Sequence, residues 1–184
     1  MKNTAANTIN YTGIVTLSRY IGSKKVKIAQ IQNAGVLALF SFLSDCLAGD
    51  FDFAQLNRPT KIKLLKRTID TASNQYSYES SSGFIHLLSK PEKIYNTSGS
   101  LEGPKSTVLY SFHISRDQLE SIDFNSIGLY TSNASDLDLE NWAAIVHLSE
   151  EDRAIVGAQN STVTSALLLD WELNFYNQPD AIKR

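Results

Sequence analysis

The chain has 184 residues, with a formal net charge of −2 at pH 7, 42% hydrophobic residues and 20% charged ones. That length fits one domain, and the balance excludes a disordered chain while leaving enough apolar mass for a real core. It also supplies no global field toward nucleic acid or acidic lipid, so any such contact needs a local basic patch.

The start, MKNTAANTINY, lacks the apolar region of a signal peptide. No stretch approaches the roughly 18–20 apolar residues of a membrane span. The expectation is therefore a chain that stays in a cytosol, where the N-x-S/T matches at Asn10, Asn96, Asn133 and Asn160 carry no weight as glycosylation sites. YTGIVTLSRYIGSKKVKIAQIQNAG predicts a β-hairpin. Tyr11, Gly13, Val15 and Leu17 share one face of its first strand, Gly22-Ser23 supplies the turn, and Val26, Ile28 and Gln30 line the return with Lys25 and Lys27 outward. Residues 1–10 are expected to form an N-terminal arm.

A helix should follow. Asn33 is placed to cap it, Val36, Leu39, Phe40, Leu43 and Leu47 recur at helical spacing, and Gly49 ends it in a left-handed conformation. Cys46 beside that stripe reads as a small buried hydrophobe, and being the single cysteine it excludes an intrachain disulfide. Beyond Phe51 come short strands between polar loops: TKIKLLKR (60–67), GFIHLLS (83–89), STVLYSFHIS (106–115), SIGLYTS (126–132), NWAAIVHLS (141–149) and SALLLDWELNFYN (165–177). Many short strands with turn signals between them predict a mainly β chain: one antiparallel β-sandwich over 1–184 with a single α-helix after the N-terminal hairpin. The Ser/Asn/Gly-rich stretches 70–82 and 89–106 read as long loops, which in compact domains are usually functional.

Reactive chemistry is sparse. His86, His113 and His147 lack metal-ligand spacing and read as isolated strand residues. The acidic stretches GDFDF (49–53) and SDLDLEN (135–141) alternate carboxylates but do not match an EF-hand loop, so they read as solvated segments. Asp136, Asp138 and Glu140 would serve a hydrolase only if they converged in a cleft. No nucleotide-binding, metalloprotease or serine-hydrolase motif is present, so neither enzymatic activity nor a cofactor is expected. Arg58, Lys61 and Lys63, with Lys66 and Arg67, form a basic run open to two readings. One is contact with phosphates; the other, commoner one is solvated charge on an edge strand. Trp142 and Trp171 fall on apolar alternation and read as core, whereas Tyr76, Tyr78 and Tyr95 lie in polar loops. These tyrosines, with Arg58, Lys61 and Lys63, are the candidate interface; an exposed ring suits a protein contact or a sugar face.

The order of pieces carries a resemblance. The N-terminal hairpin followed by LFSFLSDCLAGDF resembles an arrangement in small virion proteins of tailed phages, especially crAss-like phages. SIGLYTS, then WAAIVHLS, then LLLDWELNFYN is similar to the closing strands of phage structural β-sandwiches. Residues 9–67 and 126–177 carry the likeness. It implies a virion component present in many copies and assembled in the host cytoplasm: an auxiliary capsid, decoration or head-fibre-base protein, or alternatively part of a neck or tail ring. Its partners would be other virion proteins and copies of itself, with no membrane and no nucleic acid. The alternative from another class is a carbohydrate-binding module.

Overall fold

Alternation of apolar and polar residues in LLLDWELNFYN sets the pattern for the whole architecture. Leu167, Leu169, Trp171 and Leu173 are buried with at most 1% exposure, on one face of a strand. The computed structural model describes residues 8–21, 23–35, 49, 58–96, 105–120, 123–135, 142–160 and 166–178. In chain order these hold β1 (Thr8–Ile21), β2 (Lys24–Gly35), β3 (Pro59–Asp70), β4 (Gln75–Ser80), β5 (Ile85–His86), β6 (Glu92–Asn96) and β7 (Lys105–Ile114). Then come α1 (Arg116–Glu120), β8 (Ser126–Thr131), β9 (Trp142–His147), α2 (Glu150–Asn160) and β10 (Leu167–Gln178).

The strands form two antiparallel sheets. One runs β6-β7-β10-β1-β2 and the other β2-β9-β8-β3-β4, so β2 belongs to both. On the opposite side, β5 pairs with β3 through Lys61↔His86 and Ile62↔Ile85, and Leu87 bridges to Phe112 of β7. The sheets are therefore linked along both flanks, an antiparallel β-sandwich as the strand pattern predicts. Between them lie Val15, Leu17, Phe112, Ile114, Leu169 and Trp171 from the first sheet and Ile62, Leu64, Ile127, Leu129, Ala144 and Val146 from the second. Leu119 of α1, Val156 of α2, Phe124 and Leu148 complete this core at the end where β1, β3 and β9 finish.

Several local expectations change. Register in the β1–β2 hairpin shifts after Leu17↔Ala29, to Ser18↔Lys27, so Ile28 is an extra residue in β2. Such a bulge reverses which residues face inward. Ala29 and Ile31, opposite Leu17 and Val15, take the inner places, and Ile28 packs against the same core as expected; Gln30 is exposed and Val26 is 37% exposed. Asn33 is a strand residue opposite Gly13 instead of a helix cap, and the missing Cβ at Gly13 leaves room for the Asn33 side-chain amide. The rest of the expected helix, 36–48, lies outside the described residues, as does Cys46; Gly49 has the expected left-handed φ of 77°.

The N-terminal arm is shorter than read, because Thr8–Asn10 already pair with Tyr176–Gln178 of β10. Stretch 70–82 is mostly strand: β4 folds back on β3 around a turn at 71–74, where Asp70 accepts from Ala72 N (2.9 Å) and Ser73 Oγ (2.6 Å). Stretch 89–106 contains β6 and the start of β7.

Trp171 is fully buried, and its Nε1 has no hydrogen-bond acceptor among the described residues. Trp171→Ala should cost about 3–5 kcal/mol in denaturant unfolding, as for other deleted core aromatics. Trp171→Phe, which removes an unsatisfied donor along with part of the ring, should lose much less.

Candidate interaction face

Odd-numbered residues of β3 cannot enter the core, because Ile62 and Leu64 occupy it. They emerge on the outer face of the second sheet. Register then brings Lys61 beside Tyr130, Lys63 beside Gly128, Leu65 beside Ser126 and Ser80, and Arg67 beside Tyr78. On β9, His147 stands opposite Ser126 and Trp142 opposite Tyr130. A face of lysine, arginine and aromatic side chains results.

Much of this face is buried although it lies outside the sandwich. Leu65, Tyr130, Ala134 and Ile145 form a second apolar cluster, with Tyr78, Phe84 and Trp142 packed on it. Gly128 makes room for the Tyr130 ring, since a Cβ there would approach Tyr130 Cε2 to 2.7 Å. Phe84 arrives from the bend between β4 and β5, which Ser81 N→Leu64 O (2.9 Å) and Leu64 N→Ser82 Oγ (3.0 Å) hold against β3. Its ring meets Tyr130 edge-on at 5.3 Å between centroids. It also lies 4.1 Å from Lys61 Nζ and 4.2 Å from Lys63 Nζ, both within cation–π range.

Lys61 and Lys63 are only 8% and 1% exposed, so they are not solvated edge charges. The reason is positional: β3 has β8 on one side and β4 and β5 on the other, so it is no edge. Lys61 Nζ donates to Ala134 O (2.5 Å) and Ser132 O (3.3 Å), which commits this ammonium to the turn after β8 instead of to an external phosphate. Arg58 is exposed, and its carbonyl accepts from Ser132 N (2.9 Å).

The tyrosines separate. Tyr76 is 54% exposed beside Ile69 at 48%, with the Arg67 guanidinium 4.7 Å from its ring centre. Tyr78 is half-buried, edge-on to Trp142 at 4.6 Å and nearly parallel to His147 at 6.3 Å. Tyr95 lies on β6 opposite Ser106, and its side chain is outside the described residues. The structure thus joins Lys61, Lys63 and Tyr78 in one face, with Tyr76 at its border. Phe84, Tyr130 and His147 were not foreseen there. The basic run and the tyrosines pointed to the face; the period-two spacing of Lys61, Lys63, Leu65 and Arg67 is the signal that could have placed them on one side of β3.

His147 shares a 3.0 Å hydrogen bond with Ser126 Oγ. Burial, and then the nearby Arg67 charge, push its pKa down from the usual histidine value. At the border of the face, Asp123 pairs with Lys66 (2.8 Å) and with Arg153 of α2 (2.9 Å), tying the helix to β3. The Lys66 hydrogen bond and charge hold the Asp123 carboxyl below its ordinary range. His86 and His113 are exposed on their strands, and no group of three or more His, Cys, Asp or Glu is placed to hold a metal among the described residues. Of the two acidic stretches, only Gly49 and Ser135 are described, so Asp136, Asp138 and Glu140 lie outside the described residues.

Comparison of the chain with protein-family models, curated proteins and solved structures gave no match.

Two outcomes follow from this geometry. Phe84→Leu keeps an apolar cover but removes the ring face from both ammonium groups; it should cost about 1–3 kcal/mol in chemical denaturation, and Phe84→Tyr little. For His147, a folded-state pKa below the unfolded value means that the unfolded chain binds the extra proton first. The histidine's contribution is therefore complete above about pH 6.5 and declines as pH falls from there through the lower folded-state pKa. Melting temperatures of wild type and His147→Gln should differ in slope across this window and run parallel above it.

Proposed function

We propose that the chain is a structural component of a tailed-phage virion that works through protein–protein contacts, on the capsid exterior as a decoration or head-fibre-base protein. The observation that carries this reading is where large apolar side chains remain exposed. Tyr20, Ile21 and Val26 sit at the β1–β2 hairpin, Ile69 and Tyr76 at the β3–β4 hairpin, Leu88 after β5 and Ile94 on β6. These are hairpin ends and sheet borders, the parts of a sandwich that meet neighbours, and scattered rings and aliphatics there supply contact area. The likeness of the hairpin and the closing strands to phage structural sandwiches supports the same reading. A neck or tail ring would use the same contacts.

A sugar-binding role would need open aromatic faces. Tyr78 is packed on Trp142 and His147, while Tyr76 shares its ring with Arg67, which leaves Tyr76 as the more accessible of the two. Particles banded from a lysate of the encoding phage should contain the chain in many copies, as quantified by mass spectrometry. Abundance in the lysate with absence from banded particles would overturn the virion reading. Saturable glycan binding lost in Tyr76→Ala would replace it with the carbohydrate reading.

A further inference from the structure

The β1–β2 hairpin is unusual in both charge and surface. Between Thr8 and Gly35 it carries Arg19, Lys24, Lys25 and Lys27 and no acidic residue, in a chain that holds 19 Asp and Glu elsewhere. β1 pairs with β10 only as far as Ser18↔Leu168, so residues 20–21 and 23–26 extend past the end of β10, while Arg19 is still buried. At that projecting end Tyr20 is 50% exposed, Ile21 53% and Val26 37%. Hairpin tips standing in water normally carry polar turn residues. An apolar apex flanked by lysines fits a partner with a small apolar patch and an acidic rim.

The chain itself offers both. β1 and β9 run in the same direction, since each is antiparallel to β2. The first turn of α2, which follows β9, therefore lies at the same end of the sandwich as the hairpin tip. That turn carries Glu150 and Glu151, both exposed, while Asp152 closes a capping box with Ser149 through Ser149 N→Asp152 Oδ2 (3.1 Å) and Asp152 N→Ser149 Oγ (3.0 Å). Within one copy, Lys25 Nζ is held by Asp170 at 2.5 Å and Lys27 Nζ donates to Gln30 Oε1 at 3.0 Å. The chemistry needed by the tip and the chemistry that satisfies it thus share one end of the molecule, the condition for a reciprocal two-fold contact.

We propose that the hairpin tip docks on a second copy of this chain. Tyr20, Ile21 and Val26 of each copy pack across a two-fold axis, and Lys24 and Lys27 face Glu150 and Glu151 of the other copy. This deepens the assembly reading and rests on it for biological purpose, but the contact is testable on the purified chain alone.

Sedimentation equilibrium at increasing protein concentration should show a monomer–dimer transition that weakens in about 1 M salt, where charges more than about 3 Å apart are screened. Ile21→Asp and the pair Lys24→Glu, Lys27→Glu should each weaken association roughly tenfold or more. Adding Glu150→Lys and Glu151→Lys to the lysine pair should restore it. All these side chains are exposed, so each variant should keep the wild-type melting temperature, which separates lost docking from lost folding. A wild type that stays monomeric at about 0.1 mM, variants that still dimerise, or a charge swap that fails to rescue would each overturn the proposal. So would a monomer whose tip binds anionic lipid vesicles in the same salt-dependent way. A monomer still found in banded particles would sink the dimer and leave the virion reading, whereas a dimer absent from particles would do the reverse.

Discussion

Pairing of β1 with β10, strands far apart in sequence, is the constraint on which the rest of the fold depends. β1 and β10 match over eleven residue pairs, from Thr8↔Gln178 to Ser18↔Leu168, and β10 continues on its other edge with ten pairs to β7. Without β10 the first sheet falls into two separate hairpins, β1–β2 and β6–β7. The same strand carries Trp171, Leu169 and Leu173 into the core, so backbone pairing and core filling fail together. Contacts separated by most of the chain length carry a large closure entropy before they return any burial. The central strand of this sheet, β10, therefore joins two hairpins that local contacts alone would leave apart.

The two outer faces solve the problem of polar residues beside a core differently. On the first sheet, Asp170 accepts from Lys25 and from Ser111 Oγ (2.8 Å), and Asn174 Oδ1 accepts from Thr107 Oγ1 (2.7 Å). Asn174 is only 1% exposed, so it belongs to a buried cross-strand network instead of a wet surface. On the second sheet Lys61 and Lys63 are buried with their charges against the ring of Phe84. Burying an ammonium is costly unless partners replace water. Lys61 meets that condition with two carbonyls and a ring, which makes the turn after β8 part of the same unit as β3. The bend before β5 joins it through Phe84.

Strands with one face in the core were legible from the sequence. Val108, Tyr110, Phe112 and Ile114, like Leu167 to Leu173, alternate strictly, and period two is what a half-buried strand imposes. β4 was not legible, because QYSYES is solvated along nearly its whole length and only Tyr78 is half-buried, so no apolar alternation marks it. The bulge at Ile28 was hidden for a related reason: one inserted residue reverses inward and outward positions without changing composition. α2 was missed although Ser149 and Asp152 form a readable capping box, since a short polar helix has little apolar periodicity to mark it. For the candidate face, the sequence showed a basic run, and Lys61 and Lys63 two residues apart share one side of β3. Their burial depends on Phe84, a residue that arrives through two turns and another strand, and local pattern carries no information about such a neighbour.

Near-neutrality of the whole chain also conceals how its charge is arranged. Screening limits each exposed charge to about 8 Å at physiological salt, so a partner meets local poles and never the sum. Lys66 and Arg153 share Asp123, and Lys61 is spent on carbonyls; these cations are answered within the fold. Along β1 and β2 there is no acidic residue to do the same, and Lys25 is answered by Asp170 of β10. That pair ties the projecting arm back to the first sheet, with Lys24 and the apolar apex just beyond it. An arm tied back to its sheet loses less conformational freedom on association than a loose one, which favours contacts made through such a tip.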